Sequence, residues 1–200
     1  MNDTEIVREL KKKIIIFDTE TTGIKPGNIC QLSYLTISEN GIIPKNFYFK
    51  VKYIEPGAQK VHGLTVAKLR ELSKDMDFSA KAHEIHADFT KANMLVGHNV
   101  SFDIKFLLKE FERNGLELEL EDIFCTMKKF TNFCKIPKRK GVGFKWPRLD
   151  ELAECLSISQ EKKDELSRHL FGLETFAHDA RGDIISTYLC FIEGMKKVKS

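Results

Sequence analysis

The chain has 200 residues, a mass of 23.0 kDa and 42% hydrophobic residues, enough for one packed core. A single domain over residues 1–200, with its core at about 11–195, is expected. The net charge of +3 conceals an asymmetry: residues 128–148 hold eight basic side chains and no acid, so the rest of the chain is net acidic. No apolar run near the polar N-terminus is long enough for a signal peptide or a spanning helix, which argues against a membrane role and for a cytoplasmic location. The five cysteines, Cys30, Cys125, Cys134, Cys155 and Cys190, form no Cys-x-x-Cys pair and read as buried, reduced thiols.

The first element is the most informative. Lys13-Ile14-Ile15-Ile16-Phe17 reads as a buried central strand, and it runs directly into Asp18-Thr19-Glu20. Side chains two apart on a strand share a face, so Asp18 and Glu20 are like charges about 7 Å apart at the end of a buried element. Each raises the cost of ionising the other, and a divalent cation would remove that cost. Residues 29–38 and 47–53 then read as strands joined at Asn40-Gly41, giving an antiparallel meander. Thr65 can cap a helix bearing Val66, Leu69 and Leu72, and Ala82, Ile85, His86 and Phe89 share the face of another.

Residues 94–97 form a short buried strand. A helix follows from Ser101 with Ile104, Leu107, Leu108 and Phe111 inward, Asp103 in its first turn and Asn114-Gly115 as its stop. A strand is expected at 123–127, after which Pro137, Gly141 and Gly143 predict a loop through the basic stretch. Pro147 opens a helix with Leu149, Leu152, Ala153 and Leu156 inward, and a last helix spans about 179–195. Strands first in a meander and later alternating with helices predict a mixed sheet with helices packed on it.

Asp18-x-Glu20, His98-Asn99-x-x-Phe102-Asp103 and His178-Asp179-Ala180-x-x-Asp183 each place an acid or imidazole beside an element end. Each also has a structural reading: Asp103 can complement a helix N-terminus, Asp179 can be an N-cap, and His178 can be a structural histidine. Taken in order, they resemble the DEDDh exonucleases of the DnaQ-like family, to which the proofreading epsilon subunit of bacterial DNA polymerase III belongs. The resemblance runs from Ile14 to Phe191 and rests on Phe17-Asp18-Thr19-Glu20-Thr21-Thr22-Gly23, on Gly97-His98-Asn99 with Phe102-Asp103, and on His178-x-Ala180-x-x-Asp183.

The resemblance implies an α/β, RNase H-like fold, a five-stranded mixed sheet of three antiparallel strands with parallel additions, flanked by helices. It implies that Asp18, Glu20, Asp103 and Asp183 hold two divalent ions, Mg²⁺ or Mn²⁺, with Asp18 bridging both. The reaction implied is two-metal hydrolysis of the 3′-terminal phosphodiester, releasing nucleoside monophosphates, with His178 accepting the water's proton. An imidazole ordinarily titrates near pH ~6.5 and is suited to that role. Positions five apart on a helix differ by about 140°, so His178 belongs to the loop before the helix that carries Asp183. The sister subclass has tyrosine where this chain has Asp179, which favours the histidine type.

Thr21, Thr22, His62, Asn99 and Phe102 carry over as contacts to the terminal nucleotide. His62 could equally be a turn histidine and Phe102 a core residue. In the basic stretch, Lys128, Lys129, Lys138, Arg139, Lys140, Lys145 and Trp146 make a nucleic-acid patch, since cations are interleaved with Phe130, Phe133 and Phe144. The alternative is a loop anchored by its aromatics with solvated lysines. The preferred substrate is DNA, as single strands or frayed ends. RNA, or a noncatalytic nucleic-acid-binding module, is the alternative, and a polymerase or repair partner is left open.

Overall fold

The structure, a computed structural model, describes residues 13–175 and 178–199; residues 11 and 12 of the expected core lie outside them. Strands β1 (Ile14–Thr21), β2 (Ile29–Ser38) and β3 (Gly41–Tyr48) form an antiparallel meander. Strand β4 (Met94–Gly97) joins β1 in parallel and β5 (Asp122–Cys125) joins β4 in parallel, giving the order β3-β2-β1-β4-β5. The fold class expected from the sequence is the one observed.

Several boundaries differ from the sequence expectation: the helix expected to open at Pro147 begins at Leu149 with Arg148 as its N-cap, the third strand ends at Tyr48 rather than 53, and the last helix runs to Lys199. The third strand begins at Gly41 rather than 47 and pairs Ser38 with Gly41 across a tight turn. Its first half, with Pro44, Lys45 and Asn46, looks unlike a strand, but β3 is the sheet edge, where a missing N–H and charged side chains are tolerated. The fifth strand ends at Cys125, because Thr126 starts a short helix while its hydroxyl donates to the Gly97 carbonyl at 3.2 Å.

The helices are α1 (Pro56–His62), α2 (Val66–Leu72), α3 (Ala82–Thr90), α4 (Ser101–Arg113), α5 (Thr126–Lys129), α6 (Thr131–Cys134), α7 (Leu149–Cys155), α8 (Gln160–Phe171) and α9 (Ala180–Lys199). The sequence reading lacks α1, α5, α6 and α8. Helix α1 buries none of its residues, and the apolar stripe of α8 is short, Leu166, Leu170 and Phe171 at its C-terminal end, all only partly buried. Among the described residues, no helix is long and apolar enough to cross a membrane.

Alternation along β1 divides the core. Ile14 and Ile16 pack with Leu152 of α7 and with Ile184, Tyr188 and Phe191 of α9. Ile15 and Phe17 pack on the other face with Ile85 and Phe89 of α3 and with Phe106 and Leu107 of α4. The even positions of β1 thus belong to the α9 layer and the odd positions to the α4 layer. All five cysteines are free thiols, with Cys30 and Cys190 buried and the other three half-buried.

Gly97 sets where β4 turns towards α4. A Cβ there would lie 2.9 Å from Val100 Cβ and 3.3 Å from the Phe17 carbonyl oxygen. Gly97→Ala is expected to lower stability by about 1–3 kcal/mol through overpacking, measured by urea unfolding; an unchanged midpoint would show that the turn can relax.

Candidate active site

Asp18 and Glu20 continue the even series of β1 and so turn towards α9, whose first turn carries Asp183. One carboxylate oxygen from each of these three residues lies within 4.8 Å of the others. Asp103 reaches the same place from the other layer, at the first turn of α4. It is only 3% exposed, and its Oδ1 accepts the Thr19 backbone N–H at 3.0 Å and the Thr19 hydroxyl at 2.7 Å. Thr19, odd-numbered and turned to the α4 side, thereby pins the fourth carboxylate beside the other three without placing it in their close group.

The electrostatic cost of this arrangement is large. Burial, then Asp103, Asp183 and Glu20, hold the Asp18 carboxyl well above the usual range. Burial, followed by Asp183 and Asp103, pushes Glu20 up to about 9. Asp103 is raised to about 7 by burial, against the opposing hydrogen bonds from Thr19. Asp183 is raised to about 6 by burial, with His178 opposing the shift. Burial and mutual repulsion thus disfavour the ionised forms of the cluster. A set of hard carboxylate oxygens at this spacing fits a divalent cation of the Mg²⁺ or Mn²⁺ class, which would restore the ionised forms.

His178 lies in the turn before α9, as the helical geometry requires, with φ of 63°. Its backbone N–H donates to Asp183 Oδ2 at 3.2 Å, and its side chain is exposed. A left-handed backbone at a histidine costs about 1 kcal/mol or more and needs an external hold. Asp179 supplies one. Its Oδ1 accepts Gln31 Nε2 of β2 at 2.9 Å and the Arg181 N–H at 3.0 Å, and its Oδ2 accepts Arg181 Nη2 at 2.6 Å. Burial pushes the Asp179 carboxyl up, but the donors from Arg181 and Gln31 more than offset it, so it stays below the usual range. The Arg181 guanidinium in turn lies over the Tyr48 ring, 5.8 Å from its centroid.

The carried-over nucleotide contacts surround the cluster in different states. The Thr21 hydroxyl donates to the Gly23 carbonyl at 2.9 Å, and that of Thr22 accepts the Asn28 N–H at 3.1 Å. His62 Nδ1 accepts the Leu64 N–H at 3.0 Å, which assigns the remaining ring proton to Nε2, 3.3 Å from the Thr21 carbonyl. Both ring nitrogens are thus engaged, and burial lowers the pKa of this half-buried histidine. Asn99 is exposed at φ of 63°, and half-buried Phe102 packs one side against Phe106 at 4.9 Å between centroids.

The basic stretch is partly helical and partly a small hairpin rather than one loop. Lys128 and Lys129 are exposed on α5, while Pro137 and Phe144 pair across a turn bearing Lys138, Arg139 and Lys140, all exposed. Trp146 is 61% exposed. Two members are otherwise occupied: Lys145 bonds both oxygens of Glu151 at 2.5 and 2.6 Å, and Phe130 is wholly buried in the core. Thr19, Gln31 and Arg181 escape a reading of the sequence by acidic motifs. The parity of Thr19, between two carboxylates of the opposite face, is the signal that could have marked it.

A family model described as exonuclease, RNase T, matches residues 15–191. The chain is 31% identical over 129 residues to the DNA polymerase III subunit epsilon of Buchnera aphidicola, covering 58% of this chain and 52% of that protein. It is 26% identical over 195 residues to the 3′-5′ exonuclease DinG of Bacillus subtilis, covering 94% of this chain and 18% of that protein. E. coli Exonuclease I in complex with a dA16 oligonucleotide superposes with a TM-score of 0.68 at 20% identity, over 92% of this chain and 41% of that one. The chain therefore spans about half or less of the length of each.

Folded-state pKa values raised above the unfolded ones mean that the native carboxylates bind protons the unfolded chain has released. Metal-free stability should accordingly fall as pH rises from about 4.5 towards 9, the window set by Glu20. Glu20→Gln should flatten that fall, and calorimetry across this range tests it. Saturating Mn²⁺ at pH 8 should raise the wild-type Tm by several degrees, through a linkage of about 2.7 kcal/mol at 100-fold excess over Kd. The same addition should leave the Tm of Asp18→Asn nearly fixed.

Proposed function

Since the chain belongs to the RNase T exonuclease family, we propose that it is a 3′-5′ exonuclease of the DEDDh type, releasing nucleoside monophosphates from the 3′ end of DNA. The observation that carries this reading is the meeting of Asp18, Glu20 and Asp183 oxygens within 4.8 Å, with Asp103 pinned beside them and His178 on the adjoining turn. Asp18, Glu20, Asp103 and Asp183 would hold two divalent ions, Mg²⁺ or Mn²⁺. Bound there, such ions supply Lewis acidity and neutralise charge at a phosphoryl group.

The chain's own residues have separable tasks. His178, exposed at the mouth of the cluster, takes the proton of the attacking water. Asp179, anchored to Gln31 and Arg181, positions that histidine. Thr21, Thr22, Asn99, His62 and the open side of Phe102 border the terminal nucleotide. Exposed Lys128, Lys129, Lys138, Arg139, Lys140 and Trp146 offer cations and a stacking face to more distant parts of the strand. DNA is preferred over RNA because the relatives in hand are a DNA polymerase subunit and an exonuclease bound to a deoxyoligonucleotide.

Matched 5′-labelled DNA and RNA strands with Mn²⁺ should show a ladder of shortened products, faster on DNA. Asp18→Ala should slow it by roughly 10²-fold or more, the scale of losing one transition-state-stabilising group. A ladder indifferent to Asp18 would overturn the assignment, and a faster ladder on RNA would reverse the substrate. Asp179→Ala should lower kcat by roughly tenfold, as for other groups that orient a reacting side chain, with KM little altered; an effect on KM alone would contradict the positioning role.

A further inference from the structure

The groove beside the carboxylates extends well past them. With a volume of about 790 Å³, it runs from His178, Gly182 and Asp183 to Lys163 of α8 and Arg148 at the head of α7. That volume is in the range that encloses a ligand of roughly one or two nucleotides. The acids along it are already engaged. Asp150 accepts two bonds from Arg148 at 3.0 and 3.1 Å, Glu174 accepts from Arg168 at 2.6 Å, and Asp164 accepts from Gln160 at 2.8 Å.

Lys163 stands apart from these pairs. It is half-buried, it lines the groove, and among the described residues no carboxylate lies within ion-pair distance of its ammonium. Asp183 lines the same groove. A partly desolvated ammonium without a counter-ion is costly, and a mobile anion that enters the groove would offset the cost. Arg148 keeps donors beyond the two that Asp150 takes, and its side chain is 70% exposed. Two residues before it is exposed Trp146, which follows the hairpin closed by Pro137 and Phe144. The groove therefore has the reaction site at His178 and Asp183 and carries two further cations in its lining, Lys163 and Arg148.

Taking the exonuclease reading as given, we propose that this groove carries the strand 5′ of the scissile phosphate, with Lys163 on the first intact phosphodiester and Arg148 on the next. The terminal nucleotide then lies on the opposite side of the carboxylates, against Thr21 and Phe102. The strand leaves across α8 and α7 towards the hairpin.

The test compares two substrates. The p-nitrophenyl ester of thymidine 5′-monophosphate has no upstream phosphodiester, whereas a single-stranded deoxyoligonucleotide has several. Lys163→Gln should lose about tenfold more kcat/KM on the oligonucleotide than on the ester, the worth of one charge-assisted contact. Lys163→Arg should recover most of that difference. In EDTA, fluorescence anisotropy of the labelled oligonucleotide should show a salt slope smaller by about 0.7 for Lys163→Gln, one phosphate contact on a single strand.

Equal losses on both substrates would mean that Lys163 only supports the carboxylates, and would overturn the proposal. An unchanged salt slope would overturn it as well. If the wild type hydrolyses neither substrate, the exonuclease reading fails instead, and the anisotropy still decides whether Lys163 meets a strand.

Discussion

Repulsion among carboxylates at the end of a buried strand is the constraint around which the rest of the molecule is arranged. Four acids, three of them with oxygens inside 4.8 Å, stand where the sheet's central strand comes to its end. Burial raises every one of them and neighbouring acids add to it, opposed by Thr19 at Asp103 and by His178 at Asp183. A protein selected only for stability would not retain such a cluster, because replacing one acid with a neutral side chain would relieve it. Its retention makes sense if the native state meets a cation there.

The two-layer fold supplies the geometry. Even positions of β1 face α9 and odd positions face α4, so the strand's end is a seam from which acids of both layers can be reached. Asp183 arrives with one helix and Asp103 with the other. Thr19 fixes the second with two hydrogen bonds made from the odd face, which is the face a metal-binding motif ignores. The register shift between Glu20 and Thr21 ends regular pairing just past the last acid and re-aims the chain into the turn that His62 braces. The His178 turn is held in a left-handed conformation by a different device, the Gln31–Asp179–Arg181 network that ties α9 to β2.

How much of this was legible follows from where the information lies. Strands β1, β2 and β4 are rich in buried apolar residues and were readable, as were α4 and α9, whose inward faces repeat at helical spacing. The edge strand and α8 were not: the first tolerates Pro44 because no neighbour needs its N–H, and the second meets the core through the partly buried Leu166, Leu170 and Phe171. The acids and His178 were visible because their types and order are unusual. Thr19, Gln31 and Lys163 were not, since a threonine, a glutamine and a lysine are ordinary until the fold shows what they face. The aromatic and basic stretch was legible in composition but not in detail, because Phe130 turns into the core and Lys145 towards Glu151.

Anomalous diffraction from crystals grown with Mn²⁺ and thymidine 5′-monophosphate bears most directly on whether the clustered acids are a cation site built for a nucleotide. Strong manganese peaks bounded by Asp18, Glu20 and Asp183, with a second ion shared with Asp103 and the phosphate in contact with both, are the expected result. A nucleotide bound elsewhere, or manganese absent from these oxygens at millimolar concentration, would contradict it.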